Sequence, residues 1–334
     1  EPSFTQNWLI NNKNKIAQLI VSAREVNKFH GTFLSSIMKY QVKGRIHGEI
    51  NQLRGDNGGT VSGRLSMSNP NLQQVPARNK DFGPKIRSLF IPEEGYKWGS
   101  FDYSQQEPRM TVHYAASIGD GYEGSNELVE AYQNASADFH QTVADLVGIE
   151  RTQAKTIGLG LMYGMGKNKL AISLGVSKQE ADELIIKYNK KVPFVKKLSD
   201  RCKYAADEKG VIRTKKGRKC RFDMWETRDF GLHIAEKYED AVAKYGKDNI
   251  KRAYTYKALN RLIQGSAADQ TKQSMLDCFK AGHLPMLQIH DELCFNIKDD
   301  NHAKEIQKIM QNAIEFKVPS VVDYGLGKSW GDAK

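Results

Sequence analysis

Apolar residues recur at helical spacing near the start of the chain and again through its middle. Trp8 and Leu9 open a mostly helical stretch over residues 5–42. Ser177 followed by Glu180 forms a capping box, which predicts that another helix begins there. The same spacing predicts further helices at about 110–117, 126–134, 137–146, 150–163, 193–209, 256–279 and 301–316, with the capped helix continuing to about 190.

Fewer segments have the alternation or short apolar runs that are typical of strands. They are residues 42–52, 96–102, 211–222 and 286–297. The third is predicted to be a hairpin that turns at Lys216 and Gly217, and the fourth is two short strands. Residues 55–78, rich in Gly, Ser and Asn, predict a long ordered loop, and such loops in compact domains are usually functional. Residues 223–257 show little periodicity, and a short tail is expected to end the chain.

Strands near both ends with helices between them predict an α+β fold. Hydrophobic residues make up 40% of the 334 residues and charged residues 27%, which is typical of a globular protein and excludes a disordered chain. This length allows one large domain or two to three smaller ones. No apolar run approaches the roughly 20 residues that a bilayer span needs, so no membrane partner is expected.

The cysteines and the amino terminus indicate the cellular location of the protein. Cys202, Cys220, Cys278 and Cys294 are widely spaced without a CxxC pair, which argues against a zinc site or a disulfide framework. This usage favours a reducing, cytoplasmic location. The first residues lack both a starting Met and a signal peptide, so we expect a processed or truncated chain.

The chain is basic overall. Lys and Arg number 50 against 39 Asp and Glu, a net charge of +11. Two interpretations fit this charge: a soluble basic protein without a polyanion ligand, or a protein that binds a polyanion, most often a nucleic acid.

Two acidic positions stand out against the basic background. Asp102 ends an apolar strand, and Asp291 and Glu292 are predicted at the tip of the last hairpin. Each could be a solvated carboxylate at a turn. If adjacent strands bring them together, they would repel unless a divalent cation lay between them, and Asp oxygens are ligands that Mg²⁺ prefers. Two such ions support in-line phosphoryl displacement. The sequence by itself leaves the proximity of Asp102 and Asp291 open.

One predicted helix has an unusual stripe. Arg151, Lys155, Leu159 and Tyr163 recur every four residues, so successive members drift by only about 40° around the helix. The stripe is either a solvated basic edge that grades into the core, or a surface whose cations hold a triphosphate while its apolar end packs against a sugar or base. Glycines within this helix weaken it by about 1 kcal/mol each, which suggests that something approaches its backbone closely.

These segments resemble, in order, the motifs of family A of the DNA polymerases, the DNA polymerase I-like enzymes. Residues 102–109 resemble the first polymerase motif, residues 151–164 the second and residues 287–292 the third. Residues 60–78 are similar to the primer–template contact segment, and residues 259–269 match the duplex-reading helix. The matches follow family order over most of the chain.

The resemblance implies a right-hand polymerase fold, with an antiparallel palm sheet that carries the carboxylates and a helical fingers subdomain. Residues 1–44 would be the C-terminal end of the thumb, 45–110 and 252–334 the two parts of the palm, and 111–251 the fingers. The thumb is expected to be largely missing. The chain would then be the C-terminal part of a longer polymerase.

The resemblance also implies an activity: template-directed addition of dNMP from dNTP to a primer 3′-hydroxyl, with release of pyrophosphate. Two Mg²⁺ ions, which Mn²⁺ can replace, would be held by Asp102, Asp291 and the Tyr103 backbone. Glu292 would be a catalytic neighbour of these ligands. Lys155 would protonate the leaving pyrophosphate.

The resemblance to the family also implies which residues bind the dNTP and the DNA. The dNTP contacts would be Arg151, Lys155, Leu159, Tyr163, His140, Gln105 and Glu107, with Glu107 as a steric gate against a ribose 2′-hydroxyl. The primer–template contacts would be Arg64, Asn71, Gln73, Arg78, Asn260, Gln264 and His290. Leu159 departs from the family, which usually has Phe or Tyr there, and so does Pro108, where an aliphatic residue is usual.

Two alternatives to this function remain at this stage. The chain could be a DNA-binding polymerase fragment that needs a missing N-terminal thumb or exonuclease segment, an accessory processivity factor or a partner chain for activity. A single-subunit RNA polymerase is disfavoured by Glu107. The basic hairpin at 211–222 could contact phosphates or be a solvated face. The divergent residues 223–257 favour a phage origin and therefore the host cytoplasm.

Overall fold

Helices make up most of the regular structure in the computed structural model, which describes residues 4–53, 59–76, 79, 81–133, 138–229, 231 and 233–333. The α-helices are α1 Gln6–Asn11, α2 Lys15–Lys28, α3 Ser35–Lys39, α4 Gly83–Arg87, α5 Gln106–Ala116, α6 Ser125–Gln133, α7 Phe139–Val147, α8 Arg151–Met162, α9 Lys167–Leu174, α10 Lys178–Lys191, α11 Pro193–Lys209, α12 Tyr238–Tyr245, α13 Ala258–Lys280 and α14 Asp300–Asn312. A π-helical turn at Phe29–Leu34 joins α2 to α3.

The strands are short except in one sheet. They are β1 Gln41–Val42, β2 Arg45–Ile46, β3 Glu49–Asn51, β4 Ser66–Ser68, β5 Lys97–Tyr103, β6 Val211–Arg213, β7 Lys219–Arg221, β8 Trp225–Thr227, β9 Ile250–Arg252, β10 Leu287–Ile289, β11 Glu292–Ile297 and β12 Val322–Gly327. Four of them form an antiparallel sheet in the order β10-β11-β5-β12, and the others pair as two-stranded ribbons.

The four-stranded sheet is covered on both faces. Phe101 and Phe295 point to one face, where they pack with Ile306 of α14. Trp98 points to the other face and packs with Trp330 near the carboxyl end of the chain. Because side chains alternate along a strand, Asp102 shares the face of Trp98, and its side chain is exposed where that face ends.

A second core lies between the helices. Helices α5 to α11 and the first half of α13 enclose Val143, Ile157, Tyr188 and Phe194, each no more than 1% exposed. Met162 near the carboxyl end of α8 and Met110 and Val112 of α5 belong to this core, and α5 follows β5 directly, so the helical layer adjoins the sheet.

Most of the predicted elements are confirmed, including the α+β class. The capping box of Ser177 and Glu180 begins α10, and β6 and β7 form the predicted hairpin. The four cysteines are buried free thiols. In the described ranges, none of the helices has the length and apolar character needed to cross a membrane.

The prediction that a short tail ends the chain was wrong, because residues 322–327 form β12. This strand pairs with β5 over its length, from Val322 opposite Tyr103 to Gly327 opposite Trp98. Gly325 interrupts its side-chain pattern, so the strand depends on its pairing with β5 more than on local propensity. Residues 223–257, for which no elements were predicted, contain β8, α12 and β9.

His113 of α5 provides a test of this packing. Its ring is 6% exposed, its Nδ1 accepts a hydrogen bond from the Lys317 backbone N–H at 3.0 Å, and it lies edge-on to Phe316. Burial, followed by the charges of Lys215 and Lys317, lowers the pKa of His113 to about 4. The unfolded chain therefore binds a proton before the folded chain does, and stability is lost as pH falls from about 6.5 towards 4.

We predict that His113→Gln, which keeps an acceptor but cannot be charged, removes this acid sensitivity. Between pH 7 and pH 5 the free energy of unfolding of the wild type should fall by about 2 kcal/mol more than that of the variant. Urea unfolding at the two pH values measures the difference. Parallel losses in the two proteins would contradict the buried, neutral state of His113.

Candidate active site

The sheet brings acidic side chains together at the end of β5. Asp102 lies opposite Glu292 of β11 on one side and opposite Asp323 of β12 on the other. Residues directly opposite one another in an antiparallel sheet point to the same face, so the three carboxylates are neighbours. Glu292 begins β11 and does not lie in the preceding turn, where it was predicted.

Asp291 reaches the same place from the turn between β10 and β11. Ile289 pairs with Glu292, which leaves His290 and Asp291 as a two-residue hairpin loop. His290 has a φ of +56°, the left-handed conformation that such tight hairpins require. The Tyr103 N–H donates to the Asp291 carbonyl at 3.4 Å, so the turn is fixed to the end of β5. The structure thus answers the question of proximity that the sequence left open.

The electrostatics of this acidic edge confirm that the carboxylates interact. Although the Asp102 side chain keeps an exposed side, crowding by surrounding protein and then by Asp291, Glu292 and Asp323 raises its pKa to about 7. Burial also raises the pKa of Asp291, Glu107 adds to the effect, and Arg64 opposes it. Like charges held this close disfavour ionisation, and a cation would relieve the repulsion.

The donor set suits a particular kind of ion. Within the part of the chain that the structure describes, no three His, Cys, Asp or Glu side chains form a ready-made metal cage. Two aspartates at a partly exposed edge fit a hard cation that takes most of its oxygen ligands from water or phosphate, as Mg²⁺ does.

Glu292 has protein partners of its own. Its Oε1 accepts from the Trp330 indole N–H at 3.2 Å and lies 3.5 Å from the Cys294 sulfur. The Arg87 guanidinium lies over the same indole ring, 4.2 Å from its centroid. Burial lowers the pKa of Arg87, and the negative charge of Glu292 partly offsets this effect. These contacts orient Glu292 towards the tail of the chain, beside the pair of aspartates.

A second cluster joins four parts of the chain around Glu107, in the first turn of α5. The Arg64 guanidinium donates to Glu107 Oε1 at 2.5 Å, and the Tyr163 hydroxyl donates to Oε2 at 2.5 Å. Gln264 of α13 also hydrogen-bonds the Tyr163 side chain, and burial and Glu107 raise the pKa of Tyr163. We call Arg64, Glu107, Tyr163 and Gln264 the gate cluster. It borders the acidic edge, because Arg64 and Glu107 both act on the pKa of Asp291.

Helix α8 confirms the predicted stripe. Arg151 and Lys155 are exposed, whereas Leu159 and Tyr163 are half-buried against the helical core. The close approach suggested by the glycines is made by the protein itself, because a Cβ on Gly158 would lie 3.1 Å from the Tyr188 hydroxyl.

Arg151 has a carboxylate partner that sequence reasoning missed. Its Nε and a terminal nitrogen donate to Asp138 Oδ2 at 2.8 and 2.6 Å, while Asp138 Oδ1 caps the start of α7. His140, in the first turn of α7, is 4% exposed, and its Nδ1 has no hydrogen-bond partner. Burial, with Lys155 and Arg151 nearby, lowers the pKa of His140 to about 4, so the ring is neutral at pH 7.

Gln105 connects the sheet to α7. It has a φ of +52° at the turn into α5, and its Oε1 accepts from the Phe139 N–H at 2.9 Å and from the Tyr132 hydroxyl at 3.3 Å. In this state the side chain therefore holds the start of α7 beside the end of β5.

The predicted DNA-contacting residues fall into two groups. Asn71 caps a short 3₁₀ turn and accepts from the Gln73 N–H at 3.1 Å. Gln73 donates to Gln288 Oε1 at 2.9 Å, and Gln288 in turn donates to the His290 carbonyl at 2.6 Å. This chain of amides ties the loop to the turn that positions Asp291.

The second group lies on α13. Asn260 and Gln264 are four residues apart, so they share one face of the helix, and both are half-buried. Arg78 lies outside the described residues.

Residues that the sequence analysis missed are mainly partners of those it found. Nothing local marked Asp323, because β12 is not recognisable from the sequence, whereas Asp138 was signalled by its place before a helix as a capping residue. Nothing local marks Gln288 as the link between Gln73 and the turn.

Comparisons with known proteins agree with this geometry. Residues 5–332 match the sequence model of DNA polymerase family A. The chain is 38% identical to a DNA-directed DNA polymerase of Pseudomonas phage M6, over 99% of this chain and 54% of that protein. It is 30% identical to the thermostable DNA polymerase I of Thermus filiformis, over 96% of this chain and 36% of that protein.

A solved structure is also similar. The POL domain of Pol1 from M. smegmatis, in complex with DNA primer-template and dNTP, matches with a TM-score of 0.78 and 27% identity, over 98% of this chain and 55% of that one. The chain spans about half the length of the phage polymerase that it matches. Because the family match extends over nearly every residue, from the first helix to the tail that completes the sheet, this chain belongs to DNA polymerase family A.

Proposed function

We propose that this chain performs template-directed DNA synthesis, adding dNMP from a dNTP to a primer 3′-hydroxyl and releasing pyrophosphate. The observation that supports it most strongly is the meeting of Asp102 and Asp291 at one sheet edge, beside the gate cluster. The two aspartates would hold cations that neutralise a triphosphate. The half-buried, hydrogen-bonded Glu107 beside them would lie against the sugar of the same nucleotide.

Asp102 and Asp291, with the Tyr103 backbone carbonyl, would hold two Mg²⁺ ions, and Mn²⁺ can replace them. When bound, such ions lower the pKa of the attacking hydroxyl and neutralise the triphosphate and the leaving pyrophosphate. The protein's contribution is to hold the two carboxylates in place through the β5–β11 register and the tight turn at His290.

The triphosphate would bind along α8. Lys155 is exposed and positioned to neutralise phosphate and to give a proton to the leaving pyrophosphate. Arg151 would exchange its bond with Asp138 for one with phosphate. His140 is neutral at pH 7, and its unpartnered Nδ1 leaves a polar atom available near Lys155.

The sugar would pack against Glu107, Tyr163 and Leu159. Both Glu107 oxygens are engaged, by Arg64 and by Tyr163, and the side chain is only 12% exposed, so it cannot swing aside easily. A ribose 2′-hydroxyl directed at this carboxylate would be excluded by contact, which favours dNTP over rNTP.

Primer–template DNA would lie across the gate cluster and α13. It would contact Arg64, Asn260 and Gln264, together with Asn71 and Gln73 of the loop after β4 and His290 of the β10–β11 turn. Contacts of this kind in the minor groove test the shape of a base pair without reading its identity.

The proposed function also assigns the subdomains: residues 45–110 and 252–334 form the palm, 111–251 the fingers and 1–44 the end of the thumb. Residues 252–257 then belong to the palm, with α13.

We predict that Asp102→Asn and Asp291→Asn each reduce primer extension by at least a hundredfold. Each variant removes one charge from the acidic edge and keeps the shape of the side chain and one of its two oxygens. Extension of a labelled primer on a defined template with Mg²⁺ and dNTPs measures the rate, and fluorescence anisotropy measures DNA binding. Asp323→Asn is the matched control, since Asp323 lies on the same face but has no assigned metal.

DNA binding should remain within about threefold of wild type in both variants. Extension that survives either substitution would refute the assignment of the metal ligands. A wild type that binds DNA but extends no primer would instead support the alternative, a polymerase fragment that needs a thumb segment or partner chain.

We also predict that Glu107→Ala weakens the preference for dNTP over rNTP. Removing the carboxylate opens space for a 2′-hydroxyl, so the ratio of kcat/KM for the two nucleotides should fall at least tenfold. Single-nucleotide incorporation with dATP and ATP measures this ratio. An unchanged ratio would show that Glu107 does not discriminate the sugar.

A further inference from the structure

A buried ion pair lies behind the gate cluster, on the side of α13 that faces the basic hairpin. Asp269 is 8% exposed, and its Oδ1 accepts a hydrogen bond from the Arg218 Nε at 2.6 Å and lies 2.6 Å from an Arg218 terminal nitrogen in an ion pair. Its Oδ2 accepts from the Thr214 hydroxyl at 2.6 Å. One carboxylate on α13 therefore fixes both a residue of the hairpin turn and its arginine.

The Arg218 guanidinium is packed tightly against a second segment. Gly63 has a φ of +82°, and a Cβ there would lie 2.6 Å from an Arg218 terminal nitrogen and 2.8 Å from its central carbon. A side chain at Gly63 would therefore displace the guanidinium, and the positive φ disfavours one as well. Arg218 is thus held between the Asp269 carboxylate and the backbone of the turn at residues 60–64.

That turn is compact and leads directly to the gate. The Thr60 hydroxyl donates to the Arg64 carbonyl at 2.8 Å, and the Gly63 N–H donates to the Thr60 carbonyl at 3.5 Å. Gly265 of α13 makes a second close contact, since a Cβ there would lie 3.4 Å from the Ser62 carbonyl. The backbone position of Arg64 therefore depends on the surface formed by α13 and Arg218.

We propose that Asp269 and Arg218 are positioning residues for sugar discrimination: their ion pair supports the turn at residues 60–64, which directs Arg64 to Glu107 and so holds the Glu107 carboxylate in place. A charge pair this poorly exposed stabilises little by itself, because the cost of removing both charges from water offsets their attraction. Two nitrogens of the planar guanidinium, however, lie against one Asp269 oxygen, and this fixes the plane against which Gly63 packs.

The proposal separates Arg218 from the other cations of its hairpin. Lys216, Lys219 and Arg221 have exposed side chains, whereas Arg218 is half-buried and paired. Arg218 is therefore assigned to the gate, and the exposed cations remain available for phosphate.

The inference rests on the proposed function, and its test is designed to fail separately from it. Single-nucleotide incorporation with dATP and ATP is measured for wild type, Asp269→Asn, Arg218→Lys and the control Lys219→Ala. Lys219→Ala removes a charge from the same hairpin without touching Gly63. Asp269→Asn should lower the ratio of kcat/KM for dATP over ATP at least threefold, and Arg218→Lys, which keeps the charge but not the planar guanidinium, should do the same.

Lys219→Ala should leave this ratio unchanged even if it weakens DNA binding. In a Glu107→Ala background, Asp269→Asn should cause no further change in the ratio, because its effect passes through Glu107. A purely structural role would lower incorporation of both nucleotides equally, and an unchanged ratio in both variants would overturn the proposal.

Folding is checked by the melting temperature of each variant. If Asp269→Asn does not fold, Arg218→Lys, which keeps a charge beside Asp269, decides the question. If the wild type incorporates neither nucleotide, the proposed function has failed. This failure is distinct from a failure of the ion-pair proposal, which concerns only the ratio between the two nucleotides.

Discussion

The site depends on one constraint, the alignment of like charges at the end of β5. Antiparallel pairing on both sides places Glu292 and Asp323 directly opposite Asp102, and the two-residue turn adds Asp291. Burial and mutual repulsion raise the pKa of Asp102 to about 7, so the folded chain holds these groups in an arrangement that is unfavourable without a cation. The apolar faces on both sides of the sheet provide the stability that keeps the arrangement in place.

The same edge explains why the helical layer lies where it does. Helix α5 starts three residues after β5 ends, so Glu107 is brought beside the acidic edge by chain connectivity. Tyr163, at the C-terminal end of α8, then hydrogen-bonds Glu107, and Gln264 of α13 hydrogen-bonds Tyr163. The gate cluster therefore joins four separate segments, of which two contact Glu107 directly. The hydrogen bonds from Arg64 and Tyr163 occupy both carboxylate oxygens of Glu107 and so restrain this side chain.

Local patterns made much of this predictable. The apolar strand before Asp102, the capping box of α10 and the fourfold repeat along α8 each depend on residues close in sequence. The family resemblance then supplied the order of the motifs and the candidate residues. The exposed-to-buried gradient from Arg151 to Tyr163 was also visible in the sequence, because helical spacing alone determines which residues share a face.

The rest depended on contacts between distant segments. Strand β12 has too little local propensity to be recognised and exists because it pairs with β5. The partners of the predicted cations, Asp138 for Arg151 and Asp269 for Arg218, lie 13 and 51 residues away.

The most direct test of the metal assignment counts metal ions. Mn²⁺ is titrated into the protein with a primer–template whose primer ends in a dideoxynucleotide and with the matching dNTP, and free Mn²⁺ is followed by electron paramagnetic resonance. We predict two tightly bound ions for the wild type, and at most one, held by the triphosphate, for the double variant Asp102→Asn, Asp291→Asn. Equal numbers of bound ions in the two proteins would contradict the central claim that the β5 edge holds the metals.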